Sequence, residues 1–477
     1  MDEADQVSDE QLWLRLAGAE PGERAEITLE LAERAAGQDD HERTVTLAKA
    51  AAEAAEGAAS TSAQARATYL AADAHAELGR NEEALAGYQA AATLYRAVLD
   101  EECVAICHFR AGWALSAGGR LDEALEQWET AERLFAGQPN CDDEVGKCAL
   151  ARGGALQRLG RPEEALEALS QSRDAFRRYG EPTQTTWADD QAAGVLLRMG
   201  RSGQAVGWLE QCEFVAEAVG DPYRLAYARL RLGVALRTDG RLSAARRSIR
   251  RARRGFRQQG SLADVAQCDR ETAVCLAMQG RADKARRRFD RARAVFDAAG
   301  DDPSVRGIDM DTGILLWDLG RHEESVQVSR RALDAAVSAE DAWGAFGLAT
   351  RLAAALLDLG RAEEAAEVMT ACPDLPVGIG VEERALNLAA RARLENVAGD
   401  PATAVGRADE GLALVDGTTL TMVQAVLYAA RAEVTQTSDP VAAAADRARS
   451  AALFLAAGEP GHAAEVSRPF LPPAALD

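Results

Sequence analysis

The chain has 477 residues, 47% of them apolar and 27% charged, and a net charge of −22. That is the composition of a folded protein whose bulk charge opposes general affinity for phosphate backbones. Its apolar runs are too short to cross a bilayer, and the start, MDEADQVSDEQLW, is acidic where a secretory leader would be basic and then apolar, so the expected location is the cytoplasm.

Only three of the 54 basic residues are lysine (Lys49, Lys147 and Lys284), and alanine is abundant. GC-rich coding produces this bias, and it points to a bacterial chain.

In chain order, residues 1–58 read as N-terminal capping helices, with Gly37 marking an incomplete first unit. A main array follows over 59–372. Its marker is a turn glycine at 79, 119, 160, 200, 240, 280, 320, 360 and 399, a step of 39 to 41 residues that is the signature of a solenoid. The phrase around it is written as LGRPEEALEAL at 159–169 and as LGRAEEAAEVM at 359–369. Eight of the nine glycines precede arginine, Gly399 opens a Gly-Asp-Pro variant, and Ser438-Asp439-Pro440 reads as a degraded tenth copy.

Three columns hold only small residues. Seven before the glycine stand Ala72, Gly112, Gly153, Ala193, Gly233, Ala273, Gly313, Ala353 and Ala392. Five after it every residue is Ala or Ser, and twelve after it Ala, Ser, Cys or Gly. Helix axes approach closely only where side chains are short, so these columns predict helix crossings. Leucine four before the glycine (Leu115 through Leu356) supplies apolar surface to bury. The glycine can take the left-handed conformation that ends one helix, and Glu163-Glu164 or Glu363-Glu364 suit the first turn of the next. The expectation is an all-α, right-handed α-solenoid of about ten helix-turn-helix repeats, since one hairpin cannot bury its apolar face alone.

The pattern resembles the tetratricopeptide repeat in a long variant, over about residues 60–455. Two departures stand out: the family's proline near the end of each unit is mostly missing, and the last copies lose the leucine column. Beyond the array, 373–380 reads as a loop or hinge, 381–457 as degenerate C-terminal repeats, and 458–477 as a proline-rich tail.

Chemistry is harder to find. Cys107, Cys148 and Cys268 each fall twelve residues before their glycines, where other units place alanine, so cysteine serves as a small apolar residue. Asp309-Met310-Asp311-Thr312-Gly313 looks like a phosphoryl-transfer motif, but Gly313 is that unit's helix-contact residue. Gly378-Ile379-Gly380 lacks the third glycine and the strand of a dinucleotide loop. No catalytic, cofactor-binding or metal-ligating set emerges.

The resemblance implies that first helices line a groove, and its exposed positions map onto Tyr69, Glu77, Phe109, Arg110 and Trp113, then Gln157, Arg158, Gln191, Arg198, Arg231, Arg237 and Arg270, then Asp311, Trp317, Asp318 and Asp358. A separate basic run gives residues 237–293 a net of +11 against −33 elsewhere. Arg247, Arg250, Arg251, Arg254, Arg287 and Arg291 should face outward there, on the convex side. The expected function is a non-catalytic scaffold for a protein or peptide, with acidic groups on the partner. The alternatives are a peptide-responsive sensor and, as the weakest, nucleic-acid binding through the outward arginines. A homo-oligomer stays open.

Overall fold

The structure is a computed structural model that describes residues 8–371, 375–457 and 460–467. Among them every regular element is a helix. Short α1 (Asp9–Leu16) precedes a run of hairpins, each a first helix, a tight turn and a second helix. In the first compact unit, 1–188, these are α2 (Pro21–Ala36) with α3 (His41–Gly57), α4 (Thr61–Glu77) with α5 (Asn81–Ala97), α6 (Glu101–Ala117) with α7 (Leu121–Ala136), and α8 (Asp142–Arg158) with α9 (Pro162–Tyr179).

The boundary with the second unit, 189–477, falls inside α10 (Pro182–Arg198), which α11 (Ser202–Val219) follows. Next come α12 (Pro222–Thr238) with α13 (Leu242–Gln258), α14 (Leu262–Ala277) with α15 (Ala282–Ala299), and α16 (Asp302–Asp318) with α17 (His322–Ser338). The rest are α18 (Ala342–Asp358) with α19 (Ala362–Ala371), α20 (Val381–Val397) with α21 (Pro401–Leu414), α22 (Thr421–Thr435) with α23 (Pro440–Ala456), and a closing α24 (Pro460–Val466).

All nine marker glycines have positive φ, between 68° and 87°. The turns between repeats do the same halfway along, at Gly180, Gly220, Gly260 and Gly300, and also at Ala59, Leu99, Asn140 and Glu340. The backbone therefore repeats every 20 residues while the sequence repeats every 40, because only one of the two turns is written consistently in glycine. Gly37 departs from expectation. It is right-handed (φ −65°), and Asp39 (φ 58°), in register with Gly79, makes the left-handed turn of a full α2/α3 hairpin.

The small columns are where helices touch. Every described member five residues after the turn, from Ala84 to Ala404, is buried, as are those twelve after it. A Cβ on Gly153 would lie 2.7 Å from Leu169, and one on Gly233 2.5 Å from Ile249, so the first helix of each hairpin lies directly on a side chain of its second. The leucines from Leu115 to Leu356 are buried beside these crossings, at roughly 1.5–3 kcal/mol each. The buried Cys212 fills the column twelve after the turn, and Cys107, Cys148 and Cys268 fill the alanine position twelve before it, where burial pushes the Cys107 and Cys268 thiols up to about 12. Cys372 lies outside the described residues.

The arginine of the repeated phrase has a structural reason. Arg120 and Arg161 each occupy the N-cap of a second helix and clamp the glutamate three residues on, Arg120–Glu123 at 2.6 Å and Arg161–Glu164 at 2.5 Å. Each also reaches back to an acid of the preceding repeat, Arg120 to Glu82 at 3.1 Å and Arg161 to Asp122 at 3.7 Å. Arg321–Glu324 repeats the local clamp, and Arg361 repeats both halves, to Glu364 and Glu323. One phrase thus braces the first turn of a helix and ties it to its neighbour.

Candidate functional site

In the first unit, two of the residues assigned to the groove, Tyr69 and Arg110, gather around Asp73 of α4. Tyr88 donates to Asp73 at 2.6 Å, Arg110 of α6 lies 3.8 Å from it, and the Tyr69 ring lies tilted beside that of Tyr88, centroids 5.8 Å apart. Burial, then the Asp73 charge, pushes the Tyr69 phenol up to about 12, so it stays a neutral donor. Trp113 remains half exposed, edge-on to both Phe109 and Trp128, and Trp128 donates its indole N–H to the Phe109 carbonyl at 3.1 Å. Further on, Arg158 donates to Ser116 at 3.0 Å.

In the second unit, the groove arginines form a ladder between consecutive first helices. Arg231 of α12 pairs with Asp190 of α10 at 2.7 Å, Arg237 of α12 with Glu271 of α14 at 3.2 Å, and Arg270 of α14 with Asp311 of α16 at 2.7 Å. Arg393 of α20 bridges Asp358 of α18 (2.7 Å) and Glu433 of α22 (2.8 Å). Burial alone would pull this guanidinium down, and the two carboxylates more than restore it. Arg198 lies half-buried beside Arg231, and its pKa is lowered by burial and by that second guanidinium. Gln191 is half-buried on the same helix. The groove arginines therefore hold first helices together, which equal spacing on one helix face could not reveal.

Beyond the ladder lies a cavity of about 560 Å³, lined mainly by α14, α16, α18, α20 and α22. Its wall is mostly apolar, with Met310, Ile314 and Trp317 on α16 facing Met422 and Val426 on α22, and Asp311, Arg351, Asp358 and Arg393 are set into it. Of the residues assigned from the sequence, Trp317, Asp311, Asp318 and Asp358 line it. Arg351 and Arg393 were missed, although they stand nine and six before their glycines, at groove positions. For Arg393 the register is obscured because the ninth copy has Glu395 in place of leucine, whereas Arg351 belongs to the eighth copy, which keeps Leu356.

A second feature had no trace in the repeat pattern. The 415–420 loop, between α21 and α22, rests on the turn at Gly200. Thr419 donates its backbone N–H and its hydroxyl to the Gly200 carbonyl, at 3.0 and 2.9 Å. Ser202 Oγ, fully buried, lies 2.6 Å from Thr419 Oγ1 and donates to Asp239 at 3.0 Å. A Cβ on Gly200 would sit 2.9 Å from Leu420 and 3.0 Å from Thr418, and one on Gly380 would be 3.5 Å from the Arg198 carbonyl. The second unit therefore coils far enough for late repeats to clasp its first turn, and Gly380 lies beside that contact.

Arg247, Arg250, Arg251 and Arg254 are exposed on α13, as are Arg287 and Arg291 on α15.

Among solved structures, the apo form of RapI matches with a TM-score of 0.57 at 13% identity, over 79% of this chain and 99% of that one. The Rap conjugation gene regulator of plasmid pLS20, in complex with the Phr* peptide, matches with a TM-score of 0.50 at 15% identity, over 72% of this chain and 93% of that one. This is a tetratricopeptide-like α-solenoid. No family model matches the sequence, and no curated protein matches it. No described helix of the solenoid is long and apolar enough to cross a membrane.

Proposed function

We propose that this protein is a non-catalytic, cytoplasmic scaffold that binds a peptide along its first helices, with the cavity of the second unit as the seat. The cavity carries this reading. Its volume of about 560 Å³ lies in the range of ligand pockets, and it combines an apolar wall with a few fixed polar groups. A peptide needs both: Met310, Trp317 and Met422 can take side chains, while Asp311 and Arg393 can meet backbone amides and carbonyls. Because Arg393 and Arg270 already hold carboxylates, a mixed apolar and polar peptide suits the site better than a strongly acidic one. The solved pLS20 regulator of similar fold holds a peptide, which supports the reading.

The clasp favours a second, compatible reading, a sensor. A solenoid unit contacts only its neighbours, so small rotations sum along the array. A ligand that changes those rotations must strain or release the contact at Gly200.

Selection of peptides from a random display library on the full chain tests both readings. Enriched peptides should lose at least about tenfold in affinity for Ala354→Trp, which fills the cavity, a loss of about 1.4 kcal/mol. Equal binding to the filled variant would sink the groove reading. An unchanged X-ray scattering profile on saturation with an enriched peptide would leave a rigid scaffold and remove the sensor.

A further inference from the structure

The groove makes no use of the charge on the second helices. On α13, Arg247, Arg250, Arg251, Arg254 and Arg257 are exposed and enter no ion pair among the described residues. On α15 the same holds for Lys284, Arg287 and Arg291. Steps of three and four residues place each set on one helix face. Eight cations without partners, on second helices of consecutive repeats, form a surface whose counter-charge lies elsewhere.

At two repeat positions the first unit carries the opposite sign, while at the position of Arg254 helix α7 keeps an arginine, Arg133. Seven residues after the turn glycine, where α13 and α15 have Arg247 and Arg287, α7 and α9 have Glu126 and Glu167, exposed and in no ion pair. Four after it, where α15 has Lys284, α5 has the exposed Glu83. Residues 1–188 hold 35 acidic and 18 basic side chains, a net of −17.

We infer that the basic face of α13 and α15 docks on the acidic second-helix face of α5, α7 and α9 in another copy of this chain. Two arguments select this occupant. Both faces ride on helices of nearly equal length repeated about every 40 residues, so their charge columns share one spacing and can meet in register. A nucleic acid would have to bring its phosphates against a chain of −22, whereas a second copy supplies the deficit that the basic face lacks.

The contact is charge-driven and exposed, so salt should dissolve it. Sedimentation velocity on the full chain should show concentration-dependent self-association at about 50 mM salt and monomer at about 500 mM. The variant Arg250→Glu/Arg254→Glu/Arg287→Glu/Arg291→Glu should be monomeric at low salt, and so should Glu83→Arg/Glu126→Arg/Glu167→Arg. Each should keep wild-type circular dichroism, because every altered residue is exposed. An equimolar mixture of the two variants should associate again, since each supplies the charge that the other now needs. A wild-type chain that stays monomeric at low salt, a basic-face variant that still associates, or a mixture that stays apart would each overturn the inference, as would a monomer whose arginine face binds duplex DNA.

Discussion

Gly200 and Gly240 hold the same place in consecutive repeats, with φ of 70° and 77°, yet their surroundings are opposite. A Cβ on Gly240 would meet nothing within 4 Å, as at Gly79, Gly119, Gly280, Gly320, Gly360 and Gly399, whereas one on Gly200 would press on Leu420 and Thr418. One backbone turn thus serves two purposes. At those seven turns it only ends a helix, and at 200 it is also the floor on which a loop more than 200 residues away is seated. The side chains, not the backbone, mark the difference: Ser202 is buried and hydrogen-bonded where Leu242 and Ala282 are only half-buried.

The sharpest way to break this comparison is to give both glycines the same side chain. At Gly240, valine should cost about 1–2 kcal/mol, the strain of a left-handed residue. At Gly200 it should cost roughly 1–3 kcal/mol more through overpacking against Leu420 and Thr418. Urea unfolding of both variants measures the gap, and equal losses would mean that the clasp contributes nothing. A smaller effect follows from Ser202→Ala with Thr419→Val, which keeps the packing and removes the hydroxyl bonds. At about 1 kcal/mol per bond lost, the pair should destabilise the second unit by roughly 1–2 kcal/mol and speed hydrogen exchange in the 415–424 segment, while the 240 turn stays as it was.

The hairpins were legible because they are periodic. A column of alanine such as Ala84 to Ala404 announces a helix crossing wherever it falls, and a glycine before arginine announces a turn. The between-repeat turns were not, since Leu99, Asn140 and Glu340 adopt by context a conformation that glycine adopts freely. Spacing on one helix face was legible, but not the chemistry of its side chains: Arg231 and Arg270 are bound to Asp190 and Asp311 on neighbouring first helices. The clasp had no signal at all. Ser202 and Thr419 meet once, with no repeat to echo the pair.

The smallest expected effect separates the two kinds of turn by pH. Turns 119, 160, 320 and 360 carry the arginine clamp, but after Gly200 the clamp position holds Gln204. Hydrogen bonds from Arg120, Arg161, Arg321 and Arg361 lower the pKa of Glu123, Glu164, Glu324 and Glu364 respectively. A carboxylate whose pKa is depressed on folding stabilises the fold above its unfolded value, and that stabilisation fades as pH falls through the folded value. Acidification below about pH 4.5 should therefore loosen the clamped turns. The clasp at 200, made of hydroxyl and amide bonds, should respond less. Because the clamps are exposed the change is modest, and segment-resolved hydrogen exchange rather than global unfolding should show it. Residues 120–124 and 161–165 should lose protection at a higher pH than 200–205, and the reverse order would mean that the clasp, not the clamp, is the acid-sensitive joint.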